Sequence, residues 1–60
     1  MSDLKPNTLG LNLGDVVRLK SGGCQMVVTM AYPYMVDVEW HDVLGKPHSG
    51  RYFNTSLEKL

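Results

Sequence analysis

A strand, a glycine pair and a returning strand are legible in residues 14–31, and no other stretch narrows the fold as much. In residues 15–20, Val17 and Leu19 alternate with Arg18 and Lys20, the period-two pattern of a half-buried strand. Ser21-Gly22-Gly23 follows, and glycine reaches the positive φ angles of a tight reversal without steric cost. In residues 25–31, Met26, Val28 and Met30 fall on one face, with Gln25, Val27 and Thr29 on the other. This is the opening hairpin of a small antiparallel barrel.

The rest of the chain keeps the pattern. Pro33 interrupts strand pairing and bends the chain between Tyr32 and Tyr34. Residues 35–41 alternate throughout: Val36, Val38 and Trp40 on one side, Asp37, Glu39 and His41 on the other. Asp42-Val43-Leu44-Gly45 reads as a turn and Lys46-Pro47 as a further stop. Residues 49–54 predict a fourth strand with Phe53 turned inward. Thr55 and Glu58 have capping-box spacing, which predicts a short C-terminal helical turn that drops Leu57 onto the barrel end. The expected core is Val17, Leu19, Met26, Val28, Val36, Val38, Trp40, Phe53 and Leu57. The expectation is an all-β, SH3-like barrel of four to five antiparallel strands over residues 14–60. Residues 1–13 form an arm in which Leu9, Leu11 and Leu13 alternate, either docked on the barrel or frayed.

Sixty residues make one domain, and a chain of this length buries only about 60% of its unfolded surface. Cys24 is the single cysteine, so no internal disulfide staples the fold, and a lone cysteine suits a reducing compartment. Asp3, Lys5 and Pro6 break up the N-terminal segment, no secretory signal is read there, and no run is long enough to cross a membrane. The expected location is cytoplasmic. Six Lys/Arg balance six Asp/Glu, whereas dedicated nucleic-acid binders carry a basic excess. Only a local patch of Arg18, Lys20, Lys46 and Arg51 keeps nucleic acid open as a partner.

The run Gly14 to Gly23, followed by Met26, Val28, Trp40 with Asp42, Gly45, Phe53 and Leu57, resembles the YodC-like family of small uncharacterised bacterial proteins. The Lys20-Ser21-Gly22-Gly23 turn with Met26 after it is the specific part. The chain departs from that family at Cys24, where proline is usual, and at Val38, where cysteine is frequent. The resemblance implies an SH3-like barrel, brings no catalytic residues and assigns no activity. More distantly, the opening hairpin is similar to KOW and Tudor-type barrels, which bind nucleic acid, ribosomal partners or modified peptides; that likeness is one of fold class.

Candidate chemistry is sparse. Cys24, His41, Asp42 and His48 have metal-ligating atoms but lack the paired short spacing of structural zinc sites, so no metal and no cofactor is expected. Cys24 has no base at hand in the sequence, a strand rather than a helix follows Gly22-Gly23, and no catalytic residue is assigned. The aromatic residues carry the functional reading. Tyr32, Tyr34 and Tyr52, with Arg18 and Lys46 at the rim, are the expected contact surface of a non-enzymatic binding or adaptor module for a protein or peptide. The alternative is a barrel whose basic residues contact nucleic-acid phosphates. Val16, Val27 and Met35 on outward faces, together with open strand edges, leave self-association open.

Overall fold

The computed structural model describes residues 7–60. Its elements are β1 (Val16–Leu19), β2 (Met26–Ala31), β3 (Met35–His41), β4 (Pro47–Phe53), a 3-10 turn (Asn54–Ser56) and β5 (Leu57–Lys59). All ladders are antiparallel, and one sheet runs in the order β4-β3-β2-β1-β5. The all-β class, the opening hairpin and the helical turn near the C-terminus are as expected, and the strands number five. After the turn the chain crosses back so that β5 lies beside β1, a topology consistent with a small SH3-like barrel. Gly22 and Gly23 take φ of 103° and 125° in the β1–β2 connection, values that disfavour any residue with a Cβ. Pro33 sits in the β2–β3 turn, closed by the Tyr32 N–H donating to the Met35 carbonyl at 2.9 Å.

The inner face collects Val17, Met26, Val28, Val36, Val38 and Leu57, all buried, with Leu19, Ala31, Trp40 and Tyr52 packed around them. Two expected placements change: Met30 leaves the face of Met26 and Val28, and Phe53 leaves the core. In β2 the register with β3 shifts between Val28 and Met30: Val28 opposes Val38, but Met30 opposes Asp37. Thr29 is the extra residue of a bulge, and its hydroxyl donates to the Asp37 carbonyl at 3.2 Å. One extra residue reverses side-chain parity, so Met30 is 46% exposed and Ala31 turns inward instead.

In β4 the ladder with β3 is unbroken from Met35↔Phe53 to His41↔Pro47. Phe53 therefore shares the outer face with Met35 and is 61% exposed, while Tyr52 goes inward beside Val36. The expectation that Phe53 is core is corrected on this ground: register with the neighbour, not hydrophobicity, sets a strand's face. Gly50 fits this parity, because a Cβ there would meet the Trp40 and Tyr52 rings at 3.4 Å.

The expected capping box does not form. The 3-10 turn has no side-chain cap, Leu57 already belongs to β5, and Glu58 accepts from Arg18 across the β1–β5 ladder. Pro47 begins β4 and does not stop the chain before it. Of the N-terminal arm, residues 1–6 lie outside the described residues. The remainder docks: Leu11 is buried within the core, while Leu9 and Leu13 stay exposed.

Asn54 is the buried polar residue of this docking. Its side-chain nitrogen lies 3.2 Å from Asn7 Oδ1, 2.7 Å from Thr8 Oγ1 and 3.1 Å from the Pro33 carbonyl. Its Oδ1 accepts from Asn7 Nδ2 at 3.0 Å, and the same nitrogen donates to the Tyr32 carbonyl at 2.7 Å. Among the described residues no buried side-chain polar atom lacks a partner. Leu11→Ala is expected to lower unfolding free energy by about 2–4 kcal/mol, against less than about 0.5 kcal/mol for Leu13→Ala, read from urea midpoints. Asn54→Ala, which leaves the Asn7 amide short of a partner, is expected to cost about 1–3 kcal/mol by the same measurement.

Candidate functional site

The ladder registers place the outward side chains in rows across the sheet. Beside the β2–β3 turn, Tyr32, Met35 and Phe53 form the first row, since Tyr32 bonds to Met35 and Met35 opposes Phe53. The second row is Met30, Asp37 and Arg51, and the third is Val27, Glu39 and Ser49, with Val16 beyond Val27. At this end Met30, Tyr32, Tyr34 and Phe53 all reach solvent, as Val43 and Leu44 do in the β3–β4 loop at the other. The β2 bulge assists, because it turns Met30 outward onto this face.

One charged pair lies within that surface. Arg51 Nε donates to Asp37 Oδ1 at 2.7 Å, and the guanidinium carbon stands 5.1 Å from the Tyr32 ring centroid. A guanidinium held against an aromatic face while paired to a carboxylate is a flat, pre-oriented group. Beside it Thr29, Asp37, Ser49, Gly50 and Arg51 border a shallow, open depression of ≈ 480 Å³.

The expected contact residues separate. Tyr32 and Tyr34 sit at the exposed end, but Tyr52 lies on the opposite face, its ring 6.4 Å from that of Trp40. Arg18 is on β1, where Nη2 donates to Glu58 Oε2 at 2.6 Å. Lys46 precedes β4 at the far end of the β3–β4 hairpin from Tyr34. Of the expected basic patch, Arg18 and Arg51 are already ion-paired; outside it, Lys59 bridges to Asp15 at 3.3 Å. Phe53, Met30 and Arg51 complete the exposed face; Met30 and Phe53 were not among the expected contacts, and Arg51 was expected only as a phosphate contact. The bulge and the β4 parity decide their positions, and no sequence signal marked either.

A second cluster lies at the other end of the inner face. The His48 ring stacks on Trp40 with centroids 5.7 Å apart and planes 18° apart. His48 Nε2 is 2.9 Å from Asp42 Oδ2, while Asp42 Oδ1 accepts from the Leu44 and Lys46 N–H groups at 2.9 Å. Asp42 thereby holds the β3–β4 loop and orients the imidazole. Of the potential ligands weighed from the sequence, only Asp42 and His48 meet, and Cys24 is exposed. Among the described residues no group of three His, Cys, Asp or Glu side chains is placed to hold a metal ion.

Three aspartates have their acid ionisation displaced downward. Arg51 does this for Asp37 and the His48 contact for Asp42; for Asp15 the main cause is the Asn12 backbone N–H, with Lys59 beside it. A carboxylate with a lowered folded-state pKa adds stability above its unfolded value and loses it as pH falls through the folded one. Stability is therefore expected to hold at about pH 5–7 and to decline below about pH 4. Urea midpoints against pH check this: Asp37→Asn and Asp42→Asn should each flatten the acid limb, and a wild-type midpoint constant to about pH 2 would contradict the assignment.

No helix among the described residues is long and apolar enough to cross a membrane. Comparison with curated proteins and with solved structures finds no match. The family described as uncharacterized small protein (DUF2158) matches residues 12–57, which span β1 to the first residue of β5, with both the Tyr32–Phe53 row and the Trp40–His48 stack inside them. The chain belongs to the DUF2158 family of small proteins.

Proposed function

We propose that this protein is a non-enzymatic binding module that takes a protein or peptide segment on the outer face at its β2–β3 end. Tyr32, Phe53 and Met30 supply the contact, with Tyr34 exposed in the adjoining turn. The observation that carries this reading is the Asp37–Arg51–Tyr32 arrangement: the cation is paired to a carboxylate and stands over an aromatic ring. Such a surface suits an amphipathic polypeptide, which aromatic side chains and arginine recognise well. Phosphate recognition is favoured less, since Arg18 and Arg51, two of the four cations expected to contact phosphates, already have carboxylate partners. The open depression beside Arg51 offers contact area and not an enclosed chamber of the kind small-molecule sites use.

The same reading includes an SH3-like barrel and YodC-like membership, supported by the strand order and by the Lys20-Ser21-Gly22-Gly23 turn with Met26 after it. A bacterial cytoplasmic setting agrees with the lone, exposed Cys24.

Selection from a displayed random-peptide library, followed by amide NMR of labelled protein with the selected peptides, tests the proposal. Expected are shifts at Tyr32, Met35, Arg51 and Phe53 that persist in salt, with Phe53→Ala weakening affinity about tenfold. Failure to enrich any peptide, together with salt-reversed shifts on adding mixed-sequence oligonucleotides, would assign the face to nucleic acid and overturn it.

A further inference from the structure

The two edges of the sheet are finished differently. β5 is three residues long, and its ladder with β1 is flanked by the Arg18–Glu58 and Lys59–Asp15 ion pairs. Short strands and edge charges are the usual protection against strand addition. β4 is seven residues long, follows β3 without a bulge, and has no strand on its other side among the described residues.

Hydrogen bonds at both ends of the β3–β4 ladder settle which β4 groups are free. The Asp42 N–H donates to the Lys46 carbonyl at 3.0 Å, and the Asn54 N–H donates to the Tyr34 carbonyl at 2.9 Å. Bonded and non-bonded pairs alternate along an antiparallel ladder. His48, Gly50 and Tyr52 therefore turn their N–H and C=O toward β3, and Ser49, Arg51 and Phe53 turn theirs to the open edge. Pro47 has the same parity as these three, a place where a missing N–H costs the ladder nothing.

We propose that β4 is the pairing strand for a second copy of this chain, joined antiparallel about a two-fold axis at Gly50. In that register Ser49 opposes the second copy's Arg51, and each such pair exchanges two backbone bonds. Phe53 opposes the second copy's Pro47 and donates to its carbonyl. The two Gly50 residues meet at the axis as a non-bonded pair, where strands approach closest. An axis at Arg51 would set that residue against its own copy, and an axis at Ser49 would leave Phe53 beyond the end of the opposite strand.

Charge and packing favour the Gly50 register. Arg51 is already bridged to Asp37, and the chain's formal charges sum to zero, so neither the seam nor the whole molecule repels its copy. On the inner face His48 and Tyr52, both packed on Trp40, come opposite each other across the axis and lengthen the aromatic stack. On the outer face the exposed Phe53 gains Pro47 as a neighbour. A domain this small benefits from such a partner, having no disulfide to hold it. The pairing rests on the backbone groups of the β4 edge, while the Tyr32 face uses outward side chains. Arg51 and Phe53 belong to both, and the mass measured without any peptide reports on the pairing alone.

Sedimentation equilibrium of the full chain from micromolar to millimolar concentration tests it. The mass is expected to rise from 6.7 kDa toward twice that value, with the Ser49, Arg51 and Phe53 amides exchanging more slowly as it does. Ser49→Lys sets a cation opposite Arg51 of the second copy, and Ser49→Pro removes one edge N–H. Ser49 is exposed, so both should leave the monomer folded, and each should weaken dimerisation by about tenfold or more. A strictly monomeric chain at the highest concentration overturns the proposal, as does a dimer unaffected by both variants. Slowed exchange of those amides only on adding a foreign extended peptide assigns the edge to another protein and overturns it as well.

Discussion

The buried Asn54 amide is the constraint on which the geometry of the exposed end rests. An amide removed from water must find hydrogen-bond partners inside the protein, and leaving one unmade costs more than making it returns. Asn54 finds them in two separate pieces of chain: Asn7 and Thr8 from the N-terminal arm, and Pro33 from the β2–β3 turn. Those contacts tie the arm, the turn and the 3-10 segment together. Leu11 is then drawn into the core, and Tyr32 and Tyr34 project from a fixed turn. A polar side chain positions the apolar surface here.

The sheet adds a second layer of control through parity. One inserted residue at Thr29 turns Met30 outward, and an uninterrupted β3–β4 register does the same for Phe53. Apolar side chains that would otherwise enlarge a small core stand instead around the Asp37–Arg51 pair. The exposed pair adds little to stability by itself. Its consequence is chemical, since it pairs the cation that stands beside Tyr32.

The hairpin of residues 14–31, the alternation in β3, the break at Pro33 and most of the core were legible in the sequence because each is local. Period-two hydrophobicity and glycine or proline turns need no knowledge of what lies across the sheet. The faces of Met30 and Phe53 were not legible. A bulge leaves no mark in residue type at Thr29, and the face of β4 follows from its partner strand, with glycine at position 50 giving no hydrophobic clue. Capping-box spacing at Thr55 and Glu58 was misleading, because Glu58 gains a charged partner in Arg18 only once β5 lies beside β1. Of the residues expected to form a contact surface, Tyr32 and Tyr34 were legible as aromatic groups around a turn. Tyr52 was not separable from them until β4 acquired a face.

By itself, the sequence determined an all-β chain with a glycine-turned opening hairpin, a valine-rich core and no net charge, since local pattern and composition are sufficient for these. Tertiary structure alone decided which cations are neutralised, which aromatic groups share a face and which edge is left open. Each of those depends on residues far apart in the chain being brought together: Asn7 with Asn54, Arg18 with Glu58, Asp37 with Arg51. Alternation within a strand says that it has two faces, and only the register with its neighbours says which of them meets the core.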